Sequence, residues 1–148
     1  MRNHEVVRNA MFTNHIITDQ EHDAWWQKTQ SADDRKLLLM KDSENIVAVI
    51  FFYDINREAQ STEWAFYLNN YLDYNKMKML KIWQILEELA IDYARDELGL
   101  KILYAEVFEF NESVINMHEK YSFKEIERYA RERDGKSFNV VRMCLKLR

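Results

Sequence analysis

The sequence predicts a mixed α/β domain, a sheet flanked by helices. Three observations point to it. Runs rich in β-branched and aromatic residues alternate with stretches of helical spacing. A strand, the longest helix and another strand follow one another over 61–108, the plan of a crossover that joins parallel strands right-handedly. Finally, 148 residues, 47% of them hydrophobic, are enough to fill one core, so 1–148 reads as one domain.

Val6, Val7, Ala10 and Met11 recur at helical spacing and predict a short first helix over 3–11. Thr18-Asp19-Gln20-Glu21 is a capping box, in which the Thr hydroxyl and the Glu carboxylate satisfy each other's free amides. It opens a helix that runs through Trp25 and Trp26 to about Gln30. Lys36–Met40 and Ile46–Asp54 read as strands joined by the turn formers Asp42, Ser43 and Asn45. The unbroken apolar run 47–52 suits a strand covered on both faces. Ser61–Leu68 is the next strand.

The longest helix is expected from Lys76 to Leu98. Met79, Ile82, Trp83, Leu86, Leu89, Ala90 and Tyr93 would form its buried stripe, and Lys81, Glu87, Glu88, Asp92 and Arg95 its solvated face. Gly99 stops it, and Lys101–Phe108 follows as a strand. Asn111 caps a helix that ends at Lys120. Phe123–Tyr129 and Phe138–Leu147 close the chain as strands around a turn at Asp134-Gly135.

Composition excludes several classes of function. Only 2 Gly and no Pro occur, against roughly 10 and 7 at average usage, so collagen-like, linker and Pro-rich readings fail. A formal charge of −4 with the signs mixed along the chain argues against a nucleic-acid partner. The lone Cys144 permits no internal disulfide and reads as a small buried strand residue of a reducing compartment. No apolar run reaches the roughly 20 residues of a membrane-spanning helix, and the polar start does not read as a signal peptide. A cytoplasmic location without membrane partners is expected.

Nucleophile-elbow, CxxC, HExxH and phosphate-loop motifs are absent. His4, His15, His22 and His118 never fall at metal-ligand spacing, so no metal is expected. The informative region is the junction of strand 61–68, helix 76–98, strand 101–108 and helix 111–120, since ligands favour strand carboxyl ends and helix N-termini. There the segment Asn111-Glu-Ser-Val-Ile-Asn-Met117-His118-Glu119-Lys120-Tyr121-Ser122-Phe123 resembles the N-x-x-A-x-x-L-Y-E-K-x-G-F segment of GNAT-type N-acetyltransferases. Residues 98–111, LGLKILYAEVFEFN, resemble the strand that precedes it in that family. At the front, Arg2-Asn3, Met11, Ile17 and His22-Asp23-Ala24-Trp25 resemble a pattern found in two branches, the ribosomal-protein N-terminal acetyltransferases and the amino-sugar-nucleotide acetyltransferases of pseudaminic acid biosynthesis. The resemblance covers almost the whole chain.

What the resemblance implies is a GNAT-like, mostly antiparallel sheet and acetyl transfer from acetyl-coenzyme A, as co-substrate, to a primary amine. The pantetheine arm would thread between Trp64–Leu68 and Leu103–Phe108, along Phe66, Tyr67 and Leu68. Asn111 is either a plain helix cap or a cap that also contacts that arm. His118 falls where the family carries a tyrosine that protonates the leaving thiolate. It is either that acid or a satisfied core histidine, with Tyr121, one turn on, as the second candidate. Glu63 stands where a carboxylate draws the amine proton through water, and Glu106 is the alternative base.

The family's coenzyme A loop is glycine-rich. Here it reads Asp73-Tyr74-Asn75-Lys76-Met77-Lys78-Met79-Leu80, which leaves Lys76, Lys78 and Met79, with the helix N-terminus, to meet the pyrophosphate. Ser122 replaces the usual glycine before Phe123, and the family's first strand is absent. For the acceptor, Arg2, Arg8 and His15 supply basic groups, and Trp25, Trp26, Phe12 and Tyr74 supply aromatic surface for a base or sugar. The leading expectation is acetylation of a nucleotide-linked amino sugar. Protein N-terminal acetylation and a non-catalytic domain serving as a binding or assembly module are the alternatives, and a homodimer stays open.

Overall fold

The computed structural model describes residues 1–148. Its helices are α1 (Glu5–Asn9), α2 (Asp19–Ser31), α3 (Lys76–Asp92) and α4 (Glu112–Lys120). The strands are β1 (Lys36–Asp42), β2 (Asn45–Asn56), β3 (Ser61–Leu68), β4 (Ile102–Phe108), β5 (Lys124–Arg133) and β6 (Lys136–Lys146). Every element expected from the sequence is present, within a few residues at the ends. Thr18 caps α2 through the reciprocal box with Glu21, which satisfies two amides that would otherwise face solvent alone. No helix is long and apolar enough to cross a membrane.

One sheet holds all six strands in the order β1-β2-β3-β4-β6-β5. All neighbours are antiparallel except β3 and β4. That parallel pair is short: Ser61, Thr62 and Glu63 lie opposite Ile102, Leu103 and Tyr104, and pairing then stops. β3 stays tied to β2 as far as Leu68, and β4 to β6 as far as Phe108. The sheet is therefore split down its middle, with the gap opening at Trp64 and Ala105. Leu103, expected to border the gap, is inside the paired stretch.

The main core lies on the α3/α4 side, where Phe52, Trp64, Leu86, Ala90, Leu103 and Met143 are buried together. On the opposite face Trp25 of α2 packs edge-on against Phe51, which lies beside Tyr67. This two-sided cover explains the unbroken apolar run in β2.

α3 differs from expectation in its facing. Leu89 is 47% exposed, whereas Glu87, assigned to the solvated face, is fully buried. The buried arc runs through Ile82, Leu86, Ala90 and Ala94, displaced by about one position toward Glu87. A carboxylate tolerates that placement only with a polar partner, and α4 provides one. The α-helix also ends early, in a π-helical turn at Tyr93–Glu97. The amide of Leu98 donates to the Tyr93 carbonyl, and Gly99 turns the chain at φ 65°.

With few glycines, other residues take left-handed backbone. Ser43, Asp54, Gln60, Ser122 and Asp134 all have positive φ. Asp134 and Gly135 together make the two-residue turn between β5 and β6. Ser122, at φ 74°, occupies the position where the resembled family keeps glycine.

Candidate active site

A cavity of about 820 Å³ passes through the split sheet. Its wall takes Trp64, Phe66, Trp83, Asn111 and His118 from the α3/α4 side. It takes Phe51, Tyr53, Tyr67, Trp25 and Arg2 from the α1/α2 side. β3 from Trp64 to Leu68 has no strand partner along the gap, so its backbone groups there remain for a ligand. The indole N–H of Trp64, the first residue past the paired stretch, is buried without a partner.

Asn111 is the N-cap residue of α4, yet its side chain makes no capping bond, and its Oδ1 accepts from Ser113 Oγ at 3.4 Å. Both residues line the cavity, so the plain helix cap is not what the side chain does. Two α4 turns further in, His118 is 2% exposed and is enclosed by the rings of Trp64, Phe66 and Phe123. Its Nδ1 lies 2.8 Å from Glu87 Oε1, which also accepts from Trp83 Nε1 at 3.3 Å. Sequence reasoning missed Glu87. The usable signal was its i+4 spacing from Trp83, which places an indole donor over the carboxylate.

Other candidates are placed elsewhere. Tyr121 turns its hydroxyl to α3, within 3.2 Å of the Gln84 carbonyl and 3.0 Å of Glu88 Oε1, and does not line the cavity. Burial and then the Glu88 bond push its hydroxyl's pKa up. Glu63 is next to the cavity rather than in its wall, its carboxylate held by Arg142. Burial pushes the Glu63 carboxyl above its ordinary range, while the Arg142 charge pulls it back. Glu106 does line the cavity, and its Oε2 accepts from the Tyr129 hydroxyl at 2.7 Å. Burial raises the nearby Tyr53 hydroxyl.

The loop from Asn69 to Asn75 is built without glycine because none of its residues has positive φ. Asparagine side chains supply the turns instead: Asn69 donates to the Ile46 carbonyl and accepts from the Tyr71 amide. Asn75 accepts from the Lys78 amide at 2.8 Å, covering one free donor of the α3 N-terminus. Lys78 itself reaches Asp42 at 3.1 Å and sits over the Tyr74 ring, whose hydroxyl also donates to Asp42. Lys76, Lys78, Met79 and Tyr74 are all outside the cavity wall, because this cluster ties the α3 start to the β1/β2 turn. The open β3 edge, Asn111 and the unpartnered Trp64 indole suit a pantetheine arm. The pyrophosphate end is left with the helix N-terminus in place of a glycine nest.

On the α1/α2 side Arg2 lines the cavity. One terminal guanidinium nitrogen, Nη2, bonds the Thr13 carbonyl at 2.6 Å, and the other, Nη1, is buried without a partner. Burial lowers its pKa. His15, 3.2 Å from Glu21, and Trp25 also face the cavity. Arg8 does not, since its guanidinium binds the Asn3 and Asn14 carbonyls. Phe12 lines the cavity and packs edge-on against Phe108, whereas Trp26 borders a second, smaller hollow.

The family model for the acetyltransferase (GNAT) domain matches residues 1–141. Acetyltransferase PseH of Campylobacter jejuni subsp. jejuni serotype O:23/36 (strain 81-176) is 28% identical over 122 residues, 82% of this chain and 71% of that protein. A crystal structure of spermidine N-acetyltransferase from Vibrio cholerae, in complex with CoA and spermine, aligns with a TM-score of 0.86. It is 18% identical and covers 99% of this chain and 85% of its own. A dodecameric structure of the Vibrio cholerae enzyme gives a TM-score of 0.75 at 18% identity, over 96% of this chain and 86% of its own. At such identities the structural likeness speaks for the fold alone.

Proposed function

This chain belongs to the acetyltransferase (GNAT) domain family and is an acyltransferase, and we propose that it acetylates the primary amine of a nucleotide-linked amino sugar with acetyl-coenzyme A. The observation that carries this reading is the acceptor-side wall. Its acids Glu21, Asp54 and Glu106 are matched by the bases Arg2, Arg35 and Lys36. A polyamine, with several ammonium groups, calls for an excess of carboxylates. Phosphates and a base instead call for guanidinium groups and aromatic faces, and Arg2, Phe12 and Trp25 offer both. The similarity to acetyltransferase PseH supports the same reading.

The chemistry assigns three tasks. The thioester lies along the open β3 edge, where backbone amides meet the charge that grows on its oxygen. Glu106, held by Tyr129, draws the amine proton through water. His118 protonates the departing sulfur.

Release of the coenzyme A thiol, followed with a nucleotide-linked amino sugar, spermidine and a ribosomal-protein N-terminal peptide, tests the acceptor. The sugar should give the highest kcat/KM, and a higher value with either other amine overturns the reading. His118→Phe should lose most of kcat, and full turnover would remove His118 as the acid. Absence of any thermal stabilisation by millimolar acetyl-coenzyme A would instead favour the non-catalytic domain.

A further inference from the structure

Glu87 is a fully buried carboxylate on the helix behind the cavity, and no family motif in the sequence singles it out. Its Oε1 receives Trp83 Nε1 and lies 2.8 Å from His118 Nδ1, a close charge contact that falls short of an aligned hydrogen bond, while its Oε2 is sealed without any partner. A carboxylate kept in such a place is costly, and an apolar side chain of similar volume would usually stabilise the fold at least as well. The other ring nitrogen of His118, Nε2, makes no hydrogen bond within the chain. Nδ1 is sealed from solvent whereas Nε2 is not, and His118 lines the cavity. The ring therefore has one nitrogen for the interior and one for the reacting groups.

We infer that Glu87 is the positioning residue of His118, fixing its proton on Nδ1 so that Nε2 serves the cavity, and acting as counter-charge when both nitrogens are protonated. This rests on the acetyltransfer reading. When the amine nitrogen has bonded to the thioester carbon, the C–S bond breaks and its electron pair leaves with sulfur. The Nε2 proton passes to that sulfur, giving the free thiol. The ring is left neutral with its proton on Nδ1 against Glu87, and it regains the Nε2 proton from solvent before the next turnover. A carboxylate behind a catalytic imidazole works in this way in hydrolases, where its task is tautomer and orientation.

The test combines Glu87→Gln and Glu87→Leu with two readouts. Long-range proton–nitrogen spectra of histidine-labelled protein report which ring nitrogen carries the proton. With four histidines in the chain, His118→Gln assigns the signal. Wild type should show His118 protonated on Nδ1. In Glu87→Gln the new amide N–H can donate to Nδ1, and the proton should move to Nε2. In parallel kcat should fall by roughly 10²-fold or more, with KM for acetyl-coenzyme A and the melting temperature little changed. An unmoved tautomer in both variants, or wild-type kcat in Glu87→Gln, overturns the inference. The spectra need no turnover, so they judge Glu87 even where the choice of acceptor proves wrong.

Discussion

Arg142→Met removes the counter-charge from Glu63. The Glu63 side chain is 12% exposed and the Arg142 side chain 28%, and one Glu63 oxygen is sealed without a partner. Breaking a fully buried pair by deleting one member costs about 3–5 kcal/mol. Arg142 is partly solvated, so a loss of about 2–3 kcal/mol is expected here, roughly 6–10 °C in melting temperature for a chain of this size. The pH dependence is the sharper test. Burial already holds the Glu63 carboxyl above its ordinary value, and Arg142 opposes that rise through its charge and its hydrogen bond. Without Arg142 the folded-state value climbs further. A raised carboxyl pKa means that the folded chain holds the proton more tightly than the unfolded one. Stability from that proton is complete below the unfolded value and is lost as pH rises through the folded one. The deficit of Arg142→Met should therefore be largest near pH 8 and shrink toward pH 5. Thermal melts by circular dichroism across that range measure it, and Glu63→Gln in the same background should recover most of the loss. An equal loss at both ends of the range would refute the reasoning.

Ser122→Gly should raise the unfolding free energy by about 0.5–1 kcal/mol in chemical denaturation, because serine pays for left-handed φ that glycine adopts freely; a lower midpoint would contradict it. Thr18→Ala should cost about 1 kcal/mol by the same assay through loss of the capping box. Asn75→Gly should release the Lys78 amide to a ligand phosphate and lower the Kd for coenzyme A several-fold in titration calorimetry, with only tenths of a kcal/mol lost from the helix. Weaker binding would show that the asparagine helps to hold the pyrophosphate.

Much of the fold could be read from local patterns. Thr18 and Glu21 specify their cap by spacing alone, and the run 47–52 shows two-sided burial by its composition. Gly99 and Asp134-Gly135 mark turns that only a few residue types adopt. The facing of α3 was less legible, since Leu89 and Glu87 flank the buried arc and an isolated helix would bury the leucine. Which one goes in depends on what stands opposite, and His118 of α4 stands there.

The candidate site divides in the same way. His118, Asn111, Trp25 and the β3 residues are candidates by their place in the resembled pattern, and they line the cavity. Tyr121, Arg8, Lys78 and Tyr74 were chosen on the same grounds, yet they spend their polar atoms on Gln84 and Glu88, on backbone carbonyls, and on Asp42. Those partners lie up to 37 residues away, beyond the reach of any local pattern.

The amino-acid sequence by itself determined the order of elements, the shortage of glycine and the kinship with acetyltransferases, because periodicity, capping and motif spacing are properties of short stretches. Only the tertiary structure decided where the sheet splits, which carboxylate meets the cavity and that Glu87 lies behind His118. Those depend on how distant segments meet, where burial makes each polar group find a partner or stay unsatisfied.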